Sequence, residues 1–97
     1  TKAVENSFNM VNIDNDTSTN DMVVLLANGA TKVESMENFQ KMLNEVCMEL
    51  AKAIARDGEG ATKYIEVRVS KALTREDARR AARAIAGSNL VKTAIFG

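Results

Sequence analysis

The sequence contains no histidine and a single cysteine, Cys47, among its 97 residues. These absences exclude Cys/His zinc sites, Ser-His-Asp triads and Cys-His dyads built within this chain, because each needs residues that are missing. Cys47 cannot form an internal disulfide, and it lies on the apolar face of a predicted helix. We therefore expect a small core residue in a reducing compartment, the cytoplasm.

Excess charge and long apolar runs are lacking as well. Lys plus Arg and Asp plus Glu each number 13, so the formal net charge is zero. This balance argues against a nucleic-acid partner and against a polybasic membrane patch. No apolar run approaches the length of a membrane span, and no signal peptide is expected at the start. The length predicts one small domain, residues 1–97.

Two stretches have the apolar periodicity of helices. The first runs from Ser35 to Arg56, with Ser35 as the predicted N-cap. Gly58 is predicted to stop this helix in the left-handed conformation that glycine adopts readily. The second helix is predicted to begin after the N-cap Thr74 and to end at Gly87.

Four further stretches predict strands: residues 7–13, 22–27, 64–70 and 94–96. In residues 64–70 the apolar Ile65, Val67 and Val69 alternate with polar neighbours, as in a half-buried strand. The continuous apolar run 22–27 is typical of a strand buried on both faces, or of a short buried helix. Ser88 could cap one more helical turn. The expected fold is α+β: a two-layer α/β sandwich with a mixed sheet and both helices on one face.

The stretch 57–63 lies between the strongest helix and the clearest strand, and its Gly58 and Gly60 flank Glu59. One interpretation is a connecting loop and nothing more. The other is a carboxylate presented to a ligand from a short loop. Residues 14–21, dense in Asp, Asn, Ser and Thr, predict a compact turn system, because such side chains bond to nearby backbone. Composition does not choose between the two interpretations of Glu59.

Four stretches in this order and spacing carry a resemblance: residues 7–9, 14–30, 57–63 and 88–97. Together they resemble the ornithine acetyltransferase family, also called the bifunctional glutamate N-acetyltransferases of arginine biosynthesis. The resemblance extends along nearly the whole chain. One departure is Asn15, where the family usually has glycine. The resemblance implies an inner segment of the family's β chain, truncated at both ends.

Members of that family cut themselves before a threonine, which becomes the N-terminal nucleophile of the β chain and carries acetyl from N-acetylornithine to glutamate. A free α-amine can act as base for its own hydroxyl, so no histidine is needed. The family's nucleophile lies upstream of the Ser-Phe-Asn stretch, which implies that Thr1 is not the nucleophile and that this chain holds no catalytic residue. The isolated chain is therefore expected to be inactive. The implied partners are the α chain and the rest of the β chain in an oligomer, with no cofactor and no metal.

The resemblance also implies that Glu59 lines the substrate site, where a carboxylate suits the ammonium group of an amino acid. Thr17, Thr19, Lys63 and Lys92 match motif positions and are expected to support the site without entering the chemistry. Two other functions stay open on the residues alone. One is a free-standing small-molecule-binding or regulatory α/β domain that uses the Glu59 loop, and the other is a structural half-domain of an amidase-like assembly.

Overall fold

A computed structural model describes residues 2–97; Thr1, weighed above as a nucleophile, lies outside the described residues. The elements are α1 (Lys2–Glu5), a 3-10 helix (Phe8–Met10), α2 (Met36–Arg56), α3 (Arg75–Ala86) and α4 (Asn89–Phe96). No strand or β-bridge forms within residues 2–97. The expected mixed sheet and two-layer α/β sandwich are therefore wrong for this chain, which combines helices with long irregular segments.

The two long helices begin where the sequence predicts. The Ser35 hydroxyl accepts a hydrogen bond from the backbone N–H of Asn38 at 3.2 Å. At the start of α3 the Thr74 hydroxyl accepts from the N–H of Asp77 at 3.1 Å and donates to its carboxylate at 2.7 Å. These side chains satisfy N–H groups that have no partner inside the helix, so both predicted N-caps are confirmed.

The end of α2 differs from the prediction. Asp57 is the C-cap residue, and its N–H bonds to the Ala53 carbonyl. The left-handed residue of this region is Gly60, with φ 70°, while Gly58 has no positive φ. The predicted left-handed role of Gly58 is thus wrong by two positions. A short glycine-rich stretch marks a turn in the sequence without showing which glycine carries the unusual dihedral.

Two predicted strands are helical instead. The predicted Ser88 cap is confirmed, since its hydroxyl accepts from the N–H of Val91 at 3.4 Å, but α4 continues through Phe96. At the other end of the chain, residues 8–10 form the 3-10 helix, and the Ser7 hydroxyl donates to the Ala3 carbonyl at 2.6 Å. Apolar runs of a few residues have no measurable period, so they do not separate strand from helix.

The other two predicted strands are irregular. A strand is stabilised by hydrogen bonds to the backbone of a neighbouring strand. An alternating pattern shows which side chains share a face, but it does not show whether such a neighbour exists. Residues 64–70 keep part of their alternation, with Val67 and Val69 half-buried and Arg68 and Ser70 exposed. The run 22–26 is exposed throughout, and Leu26 is 89% exposed, so its expected burial is wrong.

The core is thin and made of small residues: Ala3, Ser7, Cys47, Ala51 and Ala82. Cys47 of α2 is buried as predicted, and α1 packs against α2. From α3, the Arg75 side chain donates to the Asn6 side chain, and Arg79 donates to the carbonyl of Glu5. These two bonds tie α3 to the end of α1. Positive charge at the C-terminal end of a helix also complements its dipole. None of the helices within residues 2–97 is long and apolar enough to cross a membrane.

Candidate functional site

The loop 57–62 places Glu59 at its tip. The Ala61 N–H bonds to the Gly58 carbonyl at 2.9 Å, and Gly60 supplies the positive φ at the third position of this four-residue turn. Glycine is favoured there because a Cβ is disfavoured at positive φ. At the base of the loop the Arg56 guanidinium lies 5.0 Å from the centre of the Tyr64 ring, a cation–π contact. Glu59 is thus held on a short, closed turn, and it is exposed.

Lys63 connects the end of this loop to α4. Its Nζ donates to the carbonyl of Ile95 at 2.5 Å and to that of Phe96 at 3.0 Å. Both carbonyls lie in the last turn of the helix, where backbone acceptors have no donor within the helix. A cation at a helix C-terminus is also favoured by the helix dipole. Lys63 therefore has a defined structural partner rather than a solvated head group alone.

Lys92 connects α4 to the segment that precedes the polar run 14–21. Its Nζ donates to Asn12 Oδ1 at 2.6 Å and to the Ile13 carbonyl at 2.9 Å. Ile13 also approaches the loop of Glu59, because a Cβ built on Gly58 would lie 3.3 Å from Ile13 Cγ2. The stretches 57–63 and 88–97 and the residues just before the stretch 14–30 thus meet around α4.

The backbone conformation at residue 15 accounts for the departure from the family pattern noted above, an asparagine in place of glycine. Its φ is 70°, in the left-handed region that glycine and asparagine tolerate best. Its side chain adds contacts that a glycine could not make. Asn15 Nδ2 donates to the Gly87 carbonyl at 3.0 Å and to Asn89 Oδ1 at 3.3 Å, while Asn15 Oδ1 accepts from Asn12 at 2.7 Å. The polar run is therefore tied to the α3–α4 junction by Asn15.

The two threonines predicted to support the site lie within this polar run. Thr17 and Thr19 are both exposed, and the Thr19 hydroxyl donates to the adjacent Asn20 at 3.3 Å. Other hydrogen bonds of the run are local too, such as that from the Asp16 N–H to Asp14 Oδ1 at 2.9 Å. The structure bonds Lys63 to α4 and bonds Lys92, within α4, to residues 12 and 13, and it shows only a local contact for Thr19.

Both lysines line a cavity of about 90 Å³ together with Tyr64, Ile85 and Val91. Pockets that hold small molecules have volumes of roughly 300–1,000 Å³, so this cavity is too small to enclose an amino-acid substrate. Glu59 is not among the residues that line it. The described residues therefore present the Glu59 carboxylate on a closed turn, outside this cavity.

The Glu59 carboxylate forms no ion pair with a cationic side chain among the described residues. The ion pairs among the described residues are Lys52–Glu49 at 3.2 Å and Arg68–Glu66 at 2.9 Å, and neither includes Glu59. The hydrogen bond from Arg68, reinforced by its charge, lowers the pKa of Glu66 below its ordinary value. In residues 2–97 no group of three or more His, Cys, Asp or Glu side chains is arranged to hold a metal ion.

Sequence reasoning did not single out Asn12, Ile13 or Arg56. Asn12 and Ile13 lie in a stretch predicted as a strand, where polar side chains were assigned to an exposed face. Arg56 lies on the polar face of α2, which the sequence predicts to be solvated or to lie at a subunit contact. The one usable signal was Asn15, because an asparagine in place of a family glycine indicates a positive φ.

The comparisons with known proteins agree with the motif stretches. The family model described as the ArgJ family matches residues 1–97. The arginine biosynthesis bifunctional protein ArgJ of Symbiobacterium thermophilum is 57% identical over 103 residues, covering 99% of this chain and 26% of the relative. The glutamate N-acetyltransferase of Methanopyrus kandleri is 56% identical over 99 residues, covering 97% of this chain and 26% of the relative. The chain spans about a quarter of the length of these relatives.

The fold also matches a solved structure. The crystal structure of the arginine biosynthesis bifunctional protein argJ from Bacillus halodurans superposes with a TM-score of 0.89 at 48% sequence identity. The match covers 99% of this chain and 48% of the solved chain. The resemblance drawn from the four motif stretches is thereby confirmed. With the family model matching every residue from 1 to 97, the chain belongs to the ArgJ family.

Proposed function

We propose that the chain is a segment of a glutamate N-acetyltransferase that moves acetyl from N-acetylornithine to glutamate through an acetyl-threonine intermediate. In this proposal the nucleophile lies outside the chain, and autocatalytic cleavage in the parent enzyme creates it. Relatives that carry the names of such enzymes match along the chain at more than half identity. We place the enzyme in the cytoplasm, and its partners are the α chain and the rest of the β chain.

Glu59 is the residue that we assign to substrate binding. The observation that carries this assignment is its position at the tip of a braced loop, exposed and outside both ion pairs of the described residues. A carboxylate without a cationic partner is suited to accept hydrogen bonds from the ammonium group of an amino acid. The loop supplies one wall of the site, and the remainder of the enzyme supplies the others.

The apolar run 22–26 favours a segment over a free-standing domain. Leu26 is 89% exposed and Met22 79% exposed, within a continuous apolar stretch. Contiguous exposed apolar surface of this kind marks a contact with other protein. In the proposed enzyme, the rest of the chain and its partner subunits cover this run.

The test is the Glu59→Gln variant of the full-length enzyme, with kcat and KM measured for both substrates. Loss of one charged hydrogen bond costs about 1.5–3 kcal/mol, so we expect KM for the amino-acid substrates to rise roughly ten- to a hundred-fold. Glu45→Gln, an exposed substitution on α2, is the matched control and should leave both constants unchanged. A parent enzyme without acetyl transfer between N-acetylornithine and glutamate would refute the proposed function.

A further inference from the structure

The hydrogen bonds of Lys63, at the end of the Glu59 loop, indicate a role for this lysine. It lies four positions after Glu59, and its ammonium group bonds to two carbonyls of the last turn of α4. Those acceptors have no donor within the helix, and the dipole of α4 favours a positive charge at this end. These two bonds attach the end of the Glu59 loop to the C-terminus of α4.

Helix α4, to which Lys63 bonds, is also connected to the loop through Ile13. Lys92, in the middle of α4, donates to the Ile13 carbonyl at 2.9 Å, and Ile13 lies against Gly58. The contacts therefore close a ring: Gly58 to Ile13, Ile13 to α4 through Lys92, and α4 back to the loop through Lys63. Removing any one contact opens this ring on one side of Glu59.

Glu59 depends on that ring for its position. It is exposed, and Gly60, which follows it at a positive φ, gives the backbone more freedom than another residue would. The Ala61–Gly58 hydrogen bond closes the turn around Glu59 and the Arg56–Tyr64 contact closes the base of the loop, but neither fixes where this turn lies relative to α4. The placement of the carboxylate therefore relies on the bonds that hold the loop's end to α4.

We propose that Lys63 is a positioning residue for Glu59: by bonding to the Ile95 and Phe96 carbonyls it fixes the loop so that the carboxylate meets the substrate's ammonium group. This inference rests on the substrate-binding role proposed for Glu59. Without the two bonds the loop moves, and a displacement of about 1 Å is enough to weaken a short hydrogen bond strongly. Lys63 itself does not contact the substrate.

The experiment uses the full-length enzyme with Lys63→Met, which keeps the length of the side chain and removes its donors. We expect KM for the amino-acid substrates to rise about ten-fold, with a much smaller change in kcat. Lys63→Arg should restore most of the loss, because an arginine can also donate to the last carbonyls of a helix. Lys52→Met is the matched control, since Lys52 makes an exposed bond to Glu49 on α2 and should leave KM unchanged.

A double variant separates positioning from direct binding. In the Glu59→Gln background, Lys63→Met should raise KM no further, because the displaced group no longer binds the ammonium. The same fold increase in both backgrounds would overturn the positioning role, as would a KM that Lys63→Arg fails to restore. If Glu59→Gln raises KM and Lys63→Met does not, only the positioning role fails. If Glu59→Gln itself leaves KM unchanged, the proposed binding role of Glu59 fails first.

Discussion

Gly58 lies against Ile13, and a Cβ at Gly58 would come within 3.3 Å of Ile13 Cγ2. This contact joins the loop of Glu59 to the residue just before the polar run 14–21, although Ile13 and Gly58 lie more than forty positions apart in sequence. Because Gly58 has no positive φ, its small size matters here and its backbone freedom does not. Gly60 is the opposite case, with φ 70° and no atom within 4 Å of the position that a Cβ would take.

The two glycines of the loop should therefore respond differently to alanine. Gly60→Ala forces a Cβ into the left-handed region, so we expect a loss of about 1 kcal/mol in the free energy of unfolding. Gly58→Ala should stay within about 0.5 kcal/mol of the parent, because the exposed Ile13 side chain can move away. Denaturant unfolding of both variants checks the order. A larger loss at Gly58 would contradict the assignment of the left-handed position to Gly60.

Thr74 is the second test of local structure. Its hydroxyl bonds to both the N–H and the carboxylate of Asp77, so Thr74→Ala removes the cap of α3. We expect the free energy of unfolding to fall by about 1 kcal/mol. Thr74→Ser keeps the hydroxyl and should retain most of the stability. Thermal unfolding of the two variants measures the difference, and equal losses would show that the methyl group matters rather than the cap.

The sequence predicts α2 and α3 well because their signals are local. Ser35 and Thr74 cap N–H groups only a few residues away, and the apolar period of α2 repeats turn after turn within one segment. The predicted sheet failed because pairing is not local. The pattern of residues 64–70 does not show which backbone would pair with them. In the described part of the chain, no other segment pairs with them as a strand.

The same distinction between local and non-local signals applies to the candidate site. A glycine-flanked acid is visible in the stretch 57–63, but the substrate-binding role of Glu59 comes from the resemblance and stays a prediction. The backbone partners of Lys63 and Lys92 were not predictable, since the Ile95 carbonyl is 32 residues from Lys63 and the Ile13 carbonyl is 79 residues from Lys92. A backbone acceptor has no residue type to recognise, so only the fold shows these two bonds.

Asn15 offers a prediction that separates backbone from side chain. Asn15→Gly and Asn15→Ala both remove the bonds to Gly87 and Asn89, but only alanine is strained at φ 70°. We expect the alanine variant to be less stable than the glycine variant by about 1 kcal/mol, despite the greater flexibility of glycine in the unfolded chain. Denaturant unfolding measures this difference. An alanine variant as stable as the glycine variant would exclude a left-handed residue at this position.

The last prediction concerns the 97-residue chain expressed alone. The proposed function places the nucleophile elsewhere, and groups that act as a unit lose their activity together, so we expect no acetyl transfer from N-acetylornithine to glutamate. We also expect concentration-dependent self-association through the exposed run 22–26. Light scattering compares two matched leucines, since Leu26 lies in that run and Leu73, 100% exposed, lies outside any apolar run. Leu26→Lys should reduce association and Leu73→Lys should not. Equal effects would show that the run is not the contact surface, and turnover by the isolated chain would show that the nucleophile lies within it.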